Sequence, residues 1–121
     1  IVNPPNRELV SSLINALNDH DLFIREKSLC ILLELSERKL ITLTNPEFLI
    51  LMKRVLYEEN PKVRRILING IEKFSFKNID KIVADECFDV LIKALNDNEH
   101  DNRNAALNSI TRELSEIVSQ S

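Results

Sequence analysis

Leu13-Ile14-Asn15-Ala16-Leu17-Asn18-Asp19 returns almost unchanged as Leu91-Ile92-Lys93-Ala94-Leu95-Asn96-Asp97, 78 positions downstream. One duplicated stretch would say little, but half that offset also lands on matching residues. Steps of 39 connect Leu17, Leu56 and Leu95, then Leu13, Met52 and Leu91, then Leu9, Phe48 and Cys87. All three columns are apolar. The same step joins Asp19, Glu58 and Asp97, and also Arg25, Arg64 and Arg103. Beyond the arginines the apolar columns resume as Leu29, Ile68, Leu107 and Leu32, Ile71, Ile110. An ungapped period held over three units is the mark of a repeat architecture.

Each unit reads as two helices. Residues 9, 13, 16 and 17 are apolar at i, i+4, i+7 and i+8, one stripe of a 3.6-residue period. The second helix opens near each arginine. Asn45-Pro46 and Asn60-Pro61 each offer an Asn N-cap followed by proline at the first helical position. Asp21 stands in the column of Asn60 and caps the second helix of the first unit, while Asp85 or Asp80 starts the first helix of the third. The pattern predicts helices at 7–18, 22–37, 46–58, 61–75, 81–96 and 101–118, in repeats of about 7–45, 46–84 and 85–121. A helix pair this small cannot bury its own apolar face, so the units are expected to stack into one continuous core, a single solenoid domain over 1–121.

Composition agrees with an all-α chain. Of 121 residues 44% are hydrophobic and 29% charged, outside the range of disordered chains. Gly70 is the one glycine, so tight hairpins have no turn residues to use. The formal charge of −3 offers no drive toward phosphate, which disfavours nucleic acid as a ligand. No apolar run reaches the ~18 residues of a membrane span. Ile1-Val2-Asn3-Pro4-Pro5 lacks the charged-then-apolar order of a leader, and a chain opening on Ile reads as an excised or processed piece. Cys30 and Cys87 sit in apolar helical stretches outside any CxxC, so both are expected buried and reduced, as suits an intracellular, cytoplasmic protein.

Leu17-Asn18-Asp19-His20-Asp21-Leu22-Phe23-Ile24-Arg25 and Leu56-Tyr57-Glu58-Glu59-Asn60-Pro61-Lys62-Val63-Arg64 resemble the HEAT repeat family, whose first helix ends in Leu before a short acidic turn and whose second opens on an apolar residue and Arg. The resemblance runs from about residue 8 to residue 118. Unit three departs, with Asn102 in place of the apolar residue before Arg103, although Ala105-Ala106-Leu107 is typical. It implies a right-handed α-α superhelix of three antiparallel helix pairs, and it implies little about activity. The armadillo variant adds a third short helix, for which 37–44 and 76–84 leave room. The short period and the lack of Pro/Gly breaks favour two.

Asp19, Arg25, Glu58, Arg64, Asp97 and Arg103 form the most regular polar pattern. Three copies of a catalytic pair would serve no purpose, so the reading is a structural ladder of salt bridges and hydrogen bonds between repeats, as in related repeat proteins. His20 and His100 fall in different columns with no His or Cys at ligand spacing, and a chain with one glycine contains neither GxSxG nor GxxxxGK. No metal, cofactor, nucleotide or catalytic site is expected.

The family's second helices line the concave face used for binding. With the stripes above buried, that face carries Glu26, Cys30 and Leu33 in unit one, Arg65, Asn69, Glu72 and Lys73 in unit two, and Asn104, Asn108, Thr111 and Arg112 in unit three. Such an amide-rich surface suits an extended peptide or protein partner. Ser28-Leu29-Cys30-Ile31-Leu32-Leu33-Glu34-Leu35 is apolar almost all round, which a terminal repeat should not be. It predicts contact with further repeats, a second copy of the chain or the target, unless Pro4, Pro5 and the Leu40–Leu43 segment cover it. The expected function is a non-catalytic interaction scaffold. The rival is a HEAT-like enzyme or nucleic-acid-binding domain, of the DNA glycosylase or bilin lyase type, against which the 5% aromatic content and absence of Trp weigh.

Overall fold

The computed structural model describes residues 7–72 and 80–119, with the side chains of all but residues 71 and 72 of these. All regular structure among them is helical: α1 (Arg7–Ala16), α2 (Leu22–Glu37), α3 (Asn45–Arg54), α4 (Pro61–Glu72), α5 (Lys81–Ala94) and α6 (His100–Ser119). The expected end of α4 at 75 lies outside the described residues, as do Pro4, Pro5 and Lys73. No described helix is long and apolar enough to cross a membrane.

Helix starts follow the capping groups in the sequence. The Phe23 amide donates to Asp21 Oδ1 at 2.8 Å and opens α2. Asn60 Oδ1 accepts from the Lys62 and Val63 amides, with Pro61 as the first residue of α4. At α3 the cap is Thr44, not Asn45: Thr44 Oγ1 accepts from the Glu47 amide and Glu47 Oε1 from the Thr44 amide, a reciprocal capping box that moves proline one place inward. Asp80 precedes α5 without a side-chain cap bond.

The first helix of each pair ends earlier than the apolar stripe predicts. Leu17, Leu56 and Leu95 donate to the carbonyls of Ile14, Lys53 and Ile92, three residues back, so the last turn tightens and the helix stops. Chain reversal after α2 uses Lys39 at φ 61°, with Lys39 N–H bonded to Ser36 O and Leu40 N–H to Leu35 O. This is the helix stop that glycine usually serves. Residues 38–44 form no third helix; Ile41 is buried and Leu43 half-buried against the core.

Helices pair as α1 with α2, α3 with α4 and α5 with α6, while α4 packs on both α2 and α6, and α3 on α5. Leu29, Leu32, Leu51, Leu67, Ile68, Leu91 and Cys87 are fully buried at these contacts. Gly70 marks a close approach of α4 to α2: a Cβ there would stand 3.0 Å from both Leu33 methyl carbons.

Three apolar columns are not uniform, and in the first of them Leu9 is exposed while Phe48 and Cys87 are buried. Leu17 is 4% exposed and Leu95 half-buried, but Leu56 is 45% exposed. The middle turn is wider. Glu58 N–H reaches back four residues to Arg54 O, where Asp19 and Asp97 reach back three, to Ala16 and Ala94. Val55, bulkier than Ala16 and Ala94 in its column, fills the interior in place of Leu56. Leu107, expected in the buried stripe with Leu29 and Ile68, is 53% exposed because no described helix lies beyond α6 on that side.

Candidate functional site

The three turns between paired helices share one hydrogen-bond pattern. Arg25 Nη1 donates to the carbonyls of Asp19 and His20, Arg64 Nη1 to those of Glu58 and Glu59, and Arg103 Nη1 to those of Asp97 and Asn98. In each turn the acidic side chain accepts from a backbone amide two residues on: Asp21 to Asp19, Asn60 to Glu58, Glu99 to Asp97. An Asp or Glu, folding back on the amide two residues later, holds the turn; an Arg in the next helix collects its carbonyls.

The remaining donors of each arginine reach the next turn. Arg25 donates from Nε and Nη2 to the two Glu58 carboxylate oxygens at 3.2 and 3.3 Å, and Arg64 to those of Asp97 at 2.7 and 3.1 Å. These forks are bidentate and the acid side chains are 1% and 6% exposed. Four of the six ladder residues, Arg25, Glu58, Arg64 and Asp97, are therefore paired across the seams, with the carboxylate supplied by the following turn and not by the arginine's own. Among the described residues the Asp19 carboxylate receives no arginine and the Arg103 fork meets no carboxylate.

Burial pushes the Glu58 carboxyl up, but the Asn60 amide and the Arg25 and Arg54 guanidinium groups outweigh it and hold it below its ordinary value. Burial acts likewise on Asp97, where the Arg64 hydrogen bond, the Glu99 amide and Asn102 win. The Asp97 hydrogen bond raises Arg64 in turn. Acids held ionised this firmly are ill suited to proton transfer near neutral pH.

The seams also use residues that no repeat column announced. Arg54 donates to Asn18 Oδ1 at 2.8 Å and to Glu58 Oε1 at 3.3 Å, and lies 5.4 Å from the Tyr57 ring centroid. Lys62 pairs with Glu26, Lys53 with Glu86, and Arg7 with Glu47. Asn102, the departure from the apolar column, is fully buried: its Nδ2 donates to Pro61 O and Asp97 Oδ1, and its Oδ1 accepts from Arg65 Nε. A polar residue in an otherwise apolar column was the available signal.

The predicted binding face divides in two. Arg65 belongs to the seam, between Asn102 and Asp101, as do its column-mate Glu26 and the half-buried Leu33 against Gly70. Asn69, Asn104, Asn108, Thr111 and Arg112 are exposed, with Thr111 Oγ1 donating to Leu107 O. The side chain of Glu72 and all of Lys73 lie outside the described residues. Cys30, expected buried, is exposed, because its column is the outward one of Asn69 and Asn108. Cys87 is buried, and burial, then Glu86, pushes its thiol up to about 12. Leu22, Phe23, Ile24 and Ile31 remain exposed on α2, although Ile41 packs into the core beside it.

A cleft of about 380 Å³ opens between the second and third turns, lined by Leu56, Glu58, Arg64, Lys93, Asn96 and Asp97 among others. Its two acids are already bound by arginines. His20 and His100 are exposed, and no group of three or more His, Cys, Asp or Glu among the described residues can hold a metal. Compared with known proteins, the chain matches no family model, no curated protein and no solved structure.

Proposed function

We propose that this chain is a non-catalytic protein-interaction module: a HEAT-like, right-handed superhelix of three stacked helix pairs that holds a peptide or protein against the concave face of its second helices. The observation that carries the reading is the recurrence, at three turns 39 positions apart, of one arginine-to-carbonyl arrangement, tied at both internal seams to a buried acid. Interlocking of this kind holds successive second helices at fixed spacing, which a rigid recognition surface requires. Asn69, Asn108 and Arg112 are the contact residues on this reading; their amides and guanidinium are exposed and suit the backbone groups of an extended peptide. Arg65 takes a supporting role, because its Nε is already engaged by Asn102.

Random peptides displayed on phage and selected against the wild-type chain test this directly. Selected peptides are expected to bind Asn69→Ala, Asn108→Ala and Arg112→Ala at least about tenfold more weakly, with unchanged circular dichroism. Peptides indifferent to all three substitutions, or no selectable peptide, would remove the concave-face assignment.

A further inference from the structure

Each internal seam is closed by an arginine of one helix pair and the turn acid of the next, 33 positions apart in both cases, Arg25 with Glu58 and Arg64 with Asp97. At the α5–α6 end the Arg103 fork has no described acid to meet it, and at the α1–α2 end the Asp19 carboxylate has no described arginine. The Arg103 guanidinium and the Asp19 carboxylate are opposite in charge and occupy the ladder positions that pair at the internal seams.

The apolar contacts match in the same way. Leu29 and Ile68 are 0% exposed on α2 and α4, each of which has a following second helix packed on it, and Leu107, in the same column on α6, is 53% exposed. On the facing side of the seams Gly70 of α4 lies against Leu33, Asn102 of α6 donates to Pro61 O and Ser109 to Ile68 O, and Val63, in the column of Asn102, is buried as well. Their counterparts on α2 are Ile24 and Ile31, 38% and 39% exposed. Leu114, at 49%, extends the apolar surface of α6.

We propose that the α5–α6 end of one copy receives the α1–α2 end of a second copy, head to tail, with Arg103 gripping Asp19 of that copy and Leu107 seated between its Ile24 and Ile31. Any two-fold arrangement of α6 on α6 leaves the Asp19 carboxylate without its arginine, so only the head-to-tail order continues the ladder. Such a contact is heterologous and propagates beyond a dimer. The proposal rests on the stacked-pair reading but not on the peptide face.

Sedimentation velocity of the full chain from micromolar to millimolar concentration tests it. The wild-type average mass should climb with concentration past twice that of the chain. Leu107→Asp, at an already exposed position, should weaken association roughly tenfold or more. Arg103→Glu and Asp19→Arg should each associate poorly alone, and their equimolar mixture should recover association, because each supplies the charge the other now needs. If Arg103→Glu loses its helical circular dichroism through its lost turn contacts, the Leu107→Asp arm decides the question. A wild-type chain that stays monomeric, a mass that levels off at a dimer, indifference to Leu107→Asp, or a mixture of folded charge variants that does not recover would overturn it. Asn69→Ala should leave association unchanged, so failure here and failure of peptide binding are read separately.

Discussion

Arg65 donates from Nε to the Oδ1 of Asn102 at 3.1 Å, across the contact between α4 and α6, and Asn102 is entirely shielded from water. The same amide donates to Pro61 O and to Asp97 Oδ1, so one side chain joins the start of α4 to the third turn. Val63 fills this column one unit earlier. Asn102→Val therefore restores the column's apolar character but strips Arg65 and Asp97 of a partner. The expected cost is about 1–3 kcal/mol in urea unfolding, since partly buried polar groups lose bonds that water cannot fully replace. A neutral or stabilising Asn102→Val would mean that these three contacts contribute nothing net.

Arg64 uses Nε and Nη2 for Asp97 and Nη1 for two carbonyls, a division that needs a planar fork. Lysine keeps the charge and loses that geometry. Arg64→Lys is expected to destabilise the fold by roughly 1–3 kcal/mol, nearly as much as Arg64→Ala. A lysine variant within experimental error of wild type would show that charge alone holds the seam.

Acid should loosen both seams. The Glu58 and Asp97 carboxyls lie below their ordinary values of 4.5 and 3.8, so the folded state binds the proton less readily than the unfolded chain. Their stabilisation is complete above those ordinary values and is lost as pH falls through the lower folded ones. Thermal midpoints measured downward from pH 7 should fall steeply only below the ordinary carboxylate range. Glu58→Gln and Asp97→Asn should each be less stable at pH 7 and show a flatter acid limb. An unchanged acid limb in both variants would place the titrating groups elsewhere.

The helical class, the paired helices and the Asp/Glu and Arg columns were legible in the sequence because all three are periodic. What was not legible depends on single side chains in three dimensions. Asn45-Pro46 looked like a cap, but Thr44 and Glu47 close a reciprocal box that fixes the start one residue earlier. Leu56 shared its column with Leu17 and still came to the surface, because a turn one residue wider hands the interior to Val55. Arg65 read as a residue of the partner-binding face; only the fold places Asn102 beside it. Cys30 carried two opposed readings, buried by its apolar run and open by the column it shares with Asn69 and Asn108, and the column decides its exposure.

Lys39 closes α2 with a left-handed backbone, φ 61°, that costs an L-residue about 1–2 kcal/mol. Glycine adopts it freely but also loosens the unfolded chain, so the two effects partly cancel. Lys39→Gly is expected to stabilise by about 0.5–1 kcal/mol and to raise the melting temperature by about 2–4 °C. Lys39→Ala removes the side chain and keeps the strain, and should gain nothing. A destabilised glycine variant would show that the Lys39 side chain itself supports the turn.

Gly70 and Leu33 should prove strongly coupled. Glycine inside α4 costs about 1 kcal/mol relative to alanine through backbone entropy. Against that gain, an alanine Cβ would meet both Leu33 Cδ atoms at 3.0 Å, so rotating the isopropyl group exchanges one clash for the other. Relief requires Leu33 to change χ1 or α2 to move away from α4, and overpacking of this kind costs about 1–3 kcal/mol. Gly70→Ala should therefore be destabilising in the wild-type chain. With Leu33→Ala the obstructing methyls are gone, and the same substitution should become stabilising by about 0.5–1 kcal/mol. A double-mutant cycle in urea reads the reversal as a coupling energy of at least about 1 kcal/mol. Equal effects of Gly70→Ala in the two backgrounds would mean that α2 and α4 do not approach through these two residues, and the close seam between the first two helix pairs would have to be held by other contacts.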